Sequence, residues 1–384
     1  MTRIRSMFTA ACVLALNLGP AQGADPLPPE KITVAKLPPA NPHRLYLSDL
    51  ALHHIVDGRV HIVDGDSFRF LGMISTGLFG ITALGHDSSE MLVATTYYEK
   101  RNRGKRFDQF EVYDTATLTL KSEVEIPAKH AQALPYKGTV APSIDGRFAF
   151  IQNATPLSSV TVIDRKANRV SAEVPTLGCW IILPAASNSH RFSTLCGDGS
   201  IITATLNEAG DQATQQRSAK LFDAEKDALF VQGEHIGDSY YFVSFLGNVH
   251  VINLGGETAQ TVATWSLLND EDKQGNWRPG GYQILALHAA SKRLYVAMHD
   301  GGKEGSHKNA AKEIWAYDIE SKQRIARVPG SNAIALAVTK EPTPVLYAYD
   351  GLNLKFVRYQ TTPELKVDGE SAPIGDFAGL VETH

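Results

Sequence analysis

The chain is short of cysteine, of net charge and of long apolar runs. Only 3 of its 384 residues are cysteine, and the formal net charge is −4. So small a charge offers no global argument for nucleic acid or an anionic membrane surface as a partner. Beyond one short run near the start, no stretch is apolar for long enough to cross a bilayer, so no membrane span is expected. Catalytic signatures are missing too: there is no GxSxG, no HExxH, no CxxC and no Gly-rich phosphate cradle. Helical spacing of apolar residues is scarce, while Gly (31) and Pro (19) are frequent. That combination points to an all-β chain.

What is present begins with an export signal. Arg3 and Arg5 precede an apolar run over residues 7–18, and Ala21-Gln22-Gly23 forms a small-x-small cleavage site. This is the pattern of a secretory signal peptide over 1–23, with an exported mature chain beginning near Ala24. Cys12 leaves with the signal. Cys179 and Cys196 remain, and an exported chain most simply joins them. They flank a plausible hairpin, Trp180-Ile181-Ile182-Leu183 and Arg191-Phe192-Ser193-Thr194-Leu195.

After a Pro-rich linker over 24–43, one plan repeats through 44–384. An apolar strand is followed by a polar turn, then by a second strand ending in a polar residue, usually Asp, then by another strand. The starts are at Arg44, Glu90, Arg147, Arg191, Tyr240, Arg293 and Pro344. A period of roughly 45–55 residues suits a four-stranded propeller blade and is longer than a β-helix repeat. The expected fold is a seven-bladed β-propeller of four-stranded antiparallel sheets, in which each small sheet buries its faces against its neighbours. The terminal Asp of the second strands (Asp64, Asp114, Asp164, Asp318) reads as turn punctuation, its carboxylate bonding nearby backbone N–H groups.

Clusters that could carry chemistry are thin. His53 and His54 are adjacent and would point to opposite faces of a strand. His299 and His307 flank a Gly-rich stretch that reads as a solvated loop. Asp270-Glu271-Asp272 reads as a solvated turn or helix start, without the alternate-position ligands of a calcium loop. No metal site is expected. Two loops look built for recognition. One is a long polar excursion between strands at 91–94 and 110–114, carrying Lys100, Arg101, Arg103, Lys105 and Arg106. The other, at 265–282, holds Trp277, Arg278 and Tyr282, residue types enriched at interface hot spots. Trp277 equally suits packing into a seam between sheets.

Arg103-Gly104-Lys105-Arg106-Phe107-Asp108 followed by Glu111-Val112-Tyr113-Asp114 resembles the large subunit of the quinoprotein amine dehydrogenases. So do Asn276-Trp277-Arg278-Pro279-Gly280-Gly281-Tyr282 and Gly178-Cys179-Trp180 with Cys196-Gly197-Asp198-Gly199. Gly197-Asp198-Gly199, the run from Trp265 to Lys273 and Gly302-Lys303-Glu304-Gly305 look closer to the aromatic amine branch than to the methylamine branch. The resemblance implies a seven-bladed propeller that binds no cofactor and carries no catalytic residue. Tryptophan tryptophylquinone (TTQ) would sit on a small partner subunit, the two assembling as a periplasmic heterotetramer. Such an enzyme oxidises primary amines to aldehyde and ammonia and passes electrons to a blue-copper protein such as azurin or amicyanin.

In that family a first-blade loop lends a phenylalanine to the substrate channel. Here Leu71-Gly72-Met73-Ile74 leads to Ser75-Thr76-Gly77-Leu78-Phe79-Gly80. Leu78 occupies the aligned place, and a one-residue shift would put Phe79 there. The resemblance thus implies Leu78 and Phe79 at the channel, and the interface is expected to use Arg103, Arg106, Trp277, Arg278 and Tyr282. A different class stays open beside it: a periplasmic propeller that binds or scaffolds without an enzymatic partner. A weaker one is a self-contained propeller enzyme using its central channel and a metal.

Overall fold

Strands of five to nine residues dominate the chain; inner ones such as Arg44–Asp49 and Phe148–Asn153 are buried on both faces, whereas others such as Leu120–Ile126 leave most of their residues partly or fully exposed. The computed structural model describes residues 33–384. The expected signal at 1–23 and the first part of the linker lie outside the described residues. From Leu37 onward the linker segment is anchored, Leu37 N donating to Ala116 O at 2.8 Å and Arg44 reaching the carbonyl of Pro38.

The sheets are antiparallel throughout. Three have four strands, one has seven and one has eight. The two large sheets each contain one very long strand, Phe70–Leu84 and Gln323–Val338. Each long strand changes partner midway. Residues 70–77 pair with Gly58–Asp64, and from Leu78 onward the partner is Glu90–Tyr98. The switch falls where the backbone turns left-handed, at Gly77 and Phe79 in one strand and at Ser331 and Asn332 in the other. Divided at those points, the large sheets also reduce to four-stranded antiparallel groups, an all-β arrangement of the propeller kind.

The repeat starts read from the sequence are second strands, not first. Arg44–Asp49 pairs on one side with Gly58–Asp64 and on the other with Ala378–Thr383, the last strand of the chain. The two ends of the folded region therefore close one sheet together. Asp49 fastens that closure. Its buried carboxylate accepts from the backbone N–H groups of Ala51 (2.8 Å), Asp376 (2.7 Å) and Phe377 (2.8 Å), and His61 Nε2 lies 3.2 Å away. Burial raises its pKa, but these hydrogen bonds outweigh that and hold it at about 2.

The core lies in the seams between neighbouring sheets. Ile81, Leu92 and Phe110 of one group meet Val140, Ala149 and Ile151 of the next. Phe150 in turn packs on Phe192, ring centroids 4.9 Å apart. Each such buried ring contributes roughly 2 kcal/mol. The strand-end carboxylates do cap turns: Asp114 Oδ1 accepts from Ala116 N and Thr117 N, and Asp318 Oδ1 from Glu320 N and Ser321 N.

Cys179 and Cys196 are joined and sit directly opposite on Cys179–Pro184 and Arg191–Cys196, with Cα atoms 3.9 Å apart. The closed loop has a sequence separation of 17, and on the chain-entropy account it contributes about 3 kcal/mol. Replacing both cysteines by serine is expected to lower unfolding stability by about 2–4 kcal/mol in urea titrations. A midpoint unchanged from the parent would show that the hairpin is held by its sheet alone.

Candidate functional site

First strands of the four-stranded groups surround one cavity of about 340 Å³. They run the same way: Gln283 and Ala335 pair in parallel, and Ile182 N donates to Gly138 O at 2.8 Å. Side chains bridge the remaining gaps. Gln283 Nε2 donates to Leu336 O (2.7 Å) and Val381 O (2.9 Å), while its Oε1 accepts from Val381 N (2.9 Å). Gln232 ties to Leu285, and Glu382 accepts from Leu84 N. A buried carboxamide suits this place because it satisfies both a donor and an acceptor left over between strands too far apart to pair fully.

The cavity is polar in part. Lys137 Nζ contacts Glu234 Oε1 at 2.5 Å. Loss of hydration works against the Lys137 charge, yet Glu234 outweighs it and keeps the pKa above the ordinary lysine value. Burial pushes the Glu382 carboxyl up, in spite of Lys137 nearby. Among the described residues, no group of three or more His, Cys, Asp or Glu side chains is placed to hold a metal.

The first strands begin at a common end, and Leu78, Phe79 and Tyr282 are placed there. Leu78 and Phe79 open the strand segment 78–84 and are both half-buried. Leu78 stands opposite Thr96 and Ile81 opposite Ala94. One extra residue is thus accommodated between them, a bulge with Phe79 at φ 49°. Such bulges re-aim side chains. Tyr282 is at the same end, half-buried beside a second cavity of about 380 Å³ with Tyr136 and Phe230. Lys308 Nζ lies 5.8 Å from the Tyr282 ring.

The basic excursion is shorter and firmer than the sequence suggested. Its strands extend to Glu90–Tyr98 and Arg106–Asp114, paired as far as Tyr98 opposite Arg106. Thr95, Thr96, Tyr97, Tyr98 and Phe107 are good strand formers, which explains the extension. Only residues 99–105 form the turn, and it is internally bonded through Glu99 N to Lys105 O and Lys100 N to Arg103 O. Arg103 is exposed. Arg106 is turned inward, its Nε and Nη2 each 2.7 Å from the Asp108 carboxylate.

Trp277 packs rather than projects. Its ring lies 5.0 Å from that of Trp315, and the Arg327 guanidinium stacks 4.9 Å from it. Arg278 is half-buried and donates to Trp277 O at 2.9 Å. The acidic run does start a short helix, Asp270–Gln274, capped by Asn269. It is not wholly solvated, however. Asp272 is buried and paired with Arg324 (2.6 Å) and Arg327 (3.3 Å), because the helix turns its third residue toward the sheet. His53 and His54 belong to a 3-10 turn rather than a strand. His299 is buried at the end of Arg293–His299, not in a solvated loop.

Sequence reasoning missed the polar cluster beneath the bulge, formed by Thr96, Asp108 and His130. Asp108 stood inside a motif already quoted, but nothing in the spacing joins it to a lone histidine 22 residues away.

With this geometry, the methylamine dehydrogenase heavy chain family model matches residues 41–363. The chain belongs to that family. It is 26% identical over 322 residues to the methylamine dehydrogenase heavy chain of Methylophilus methylotrophus, covering 83% of this chain and 78% of the relative. It is 24% identical over 338 residues to that of Methylorubrum extorquens, covering 87% and 80%. Solved structures share the fold at much lower identity. A putative 6-phosphogluconolactonase from Bacteroides uniformis superposes with TM-score 0.59 at 11% identity, over 90% of this chain and 98% of that one. Dihydro-heme d1 dehydrogenase NirN gives 0.54 at 14% identity, over 88% of this chain and 65% of that one. No helix among the described residues is long and apolar enough to cross a membrane.

Proposed function

We propose that this chain is the cofactor-free large subunit of a periplasmic amine dehydrogenase. It scaffolds a small subunit bearing tryptophan tryptophylquinone in a heterotetramer and lines the passage for a primary amine. The observation that carries this reading is the family match over residues 41–363. The fold reading that goes with it is seven blades. It is supported by three single four-stranded sheets together with two large sheets that each divide in two at a left-handed kink.

In this scheme the quinone supplies the oxidising chemistry, and this chain's residues supply shape. Leu78 and Phe79, half-buried on one face with the exposed turn of Arg103, would border the partner's active site. The aromatic-branch reading rests on the sequence runs at 197–199, 265–273 and 302–305. The relatives named above are methylamine dehydrogenase heavy chains. Methylamine and an arylalkylamine are therefore the two substrates to compare. Electrons would leave the small subunit for a blue-copper protein such as azurin or amicyanin.

The test is a pull-down of the tagged mature chain from its native periplasm, with an absorption spectrum of the eluate. A co-eluting small subunit with a quinone band that amine bleaches is the expected result. The purified chain alone is expected to oxidise no amine. Amine oxidation by that chain, free of any partner, would overturn the assignment. A colourless chain eluting alone would favour a propeller that binds or scaffolds without an enzymatic partner.

A further inference from the structure

Beneath the Leu78–Phe79 bulge lies one carboxylate to which three segments of this face are tied. Asp108 has no exposed side-chain surface. Its Oδ1 accepts from Arg106 Nε (2.7 Å) at the base of the basic turn and from Thr96 Oγ1 (2.8 Å) on the neighbouring strand. Its Oδ2 meets Arg106 Nη2 (2.7 Å), His130 Nδ1 (2.7 Å) and His130 N (3.3 Å). Gln132 Nε2 adds a bond to Thr96 Oγ1 at 3.0 Å. His130 is itself fully buried, and its other ring nitrogen, Nε2, points at the backbone carbonyl of Phe79, 3.4 Å away.

That carbonyl belongs to a residue under strain. Phe79 has φ 49°, a left-handed conformation that costs a non-glycine residue about 1–2 kcal/mol. Such a conformation persists only where the surroundings over-determine it. Its glycine neighbours are obligatory. A Cβ on Gly80 would lie 2.2 Å from Thr76 O, and one on Gly77 would lie 2.7 Å from Thr95 Oγ1. A tight bulge with a strained centre needs a fixed point, and the structure shows one at the Phe79 carbonyl. The carboxylate faces one ring nitrogen and the carbonyl faces the other, so the imidazole bridges Asp108 and the Phe79 backbone.

We propose that His130, seated on Asp108, is a positioning residue: it holds the Phe79 carbonyl and so sets how Leu78 and Phe79 are presented at the substrate passage. This rests on the reading that the bulge borders the partner's active site. The Asp108–His130 pair also joins the base of the basic turn to the bulge.

The test uses His130→Gln and, because a buried histidine change can impair folding, the near-isosteric Asp108→Asn. Two readouts are needed. In the purified large subunit alone, amide hydrogen exchange over residues 77–81 is expected to quicken about tenfold, with Val345–Asp350 unchanged. In the complete complex, KM for the amine is expected to shift about threefold or more while kcat stays within about twofold. A merely structural role would loosen both segments alike and would leave the KM of the surviving complex unmoved. Exchange at 77–81 equal to the parent in both variants would overturn the proposal. So would quickened exchange with an unchanged KM for both methylamine and an arylalkylamine. If the parent chain forms no active complex with its small subunit, the functional reading fails instead, and the passage role fails with it.

Discussion

Replacing Asp49 by alanine is expected to destabilise the folded chain by about 3–5 kcal/mol, the range for stranding several buried partners of a charged group. Asp49 bonds three backbone N–H groups, two of them at Asp376 and Phe377, some 330 residues along the chain. In the alanine variant these donors would face protein without an acceptor. The loss falls on the one sheet that both ends of the chain must build. Asp49→Asn should cost about half as much, because one amide oxygen keeps the bonds to Ala51 and Phe377 while its NH₂ confronts the Asp376 donor. Urea titration at neutral pH measures both. Acid gives an independent check. The folded carboxyl titrates at about 2 against an ordinary 3.8. A depressed pKa contributes stability above the ordinary value and loses it as pH falls toward the folded one. The stability gap between parent and Asp49→Ala should therefore narrow between about pH 4 and pH 2. A gap that stays constant over that range would show that the charge on Asp49 is not what fastens the closure.

Charge reversal at Arg106 and at Arg103 should have opposite signatures, although the two residues sit three apart in one basic run. Arg106 is one-quarter exposed and grips a carboxylate with no exposure at all. Arg106→Glu sets a second carboxylate against Asp108, and breaking a buried pair in this way costs about 3–5 kcal/mol. Arg103 is exposed on the turn, and Arg103→Glu should leave stability within about 0.5 kcal/mol. Its effect belongs to assembly: association with the small subunit should slow several-fold at low salt and recover as salt screens the charge. Denaturant midpoints and association rates at two ionic strengths separate the two. A parental midpoint for Arg106→Glu would remove the structural role given to its ion pair. An unchanged low-salt association rate for Arg103→Glu would leave the turn as a solvated edge.

The difference between these arginines marks where the sequence stops being readable. In the run Arg103-Gly104-Lys105-Arg106 both are cations in a polar stretch. Only the strand register, with Arg106 opposite Tyr98 and Asp108 opposite Thr96, turns one of them inward. Trp277 poses the same problem. Packing in a seam and projecting to a partner were equally compatible with an aromatic loop, and the Trp315 ring and Arg327 guanidinium that receive it come from strands Ala311–Asp318 and Gln323–Val338.

From residues alone came the all-β class, the repeated strand plan, the Asp-capped turns and the pairing of Cys179 with Cys196. All of these rest on local signals: alternation with period two, turn chemistry, and two cysteines flanking one hairpin. The tertiary structure decided the rest. It made the repeat starts second strands, closed the first sheet with the last strand, and strung Gln232, Gln283 and Glu382 between parallel strands around a cavity. It also set His130 on Asp108 under Phe79. Each of these joins residues far apart in the chain, through single side chains that leave no period and no motif. Their partners exist only once the sheets have closed on one another and a polar group shut away from water must find another to bond.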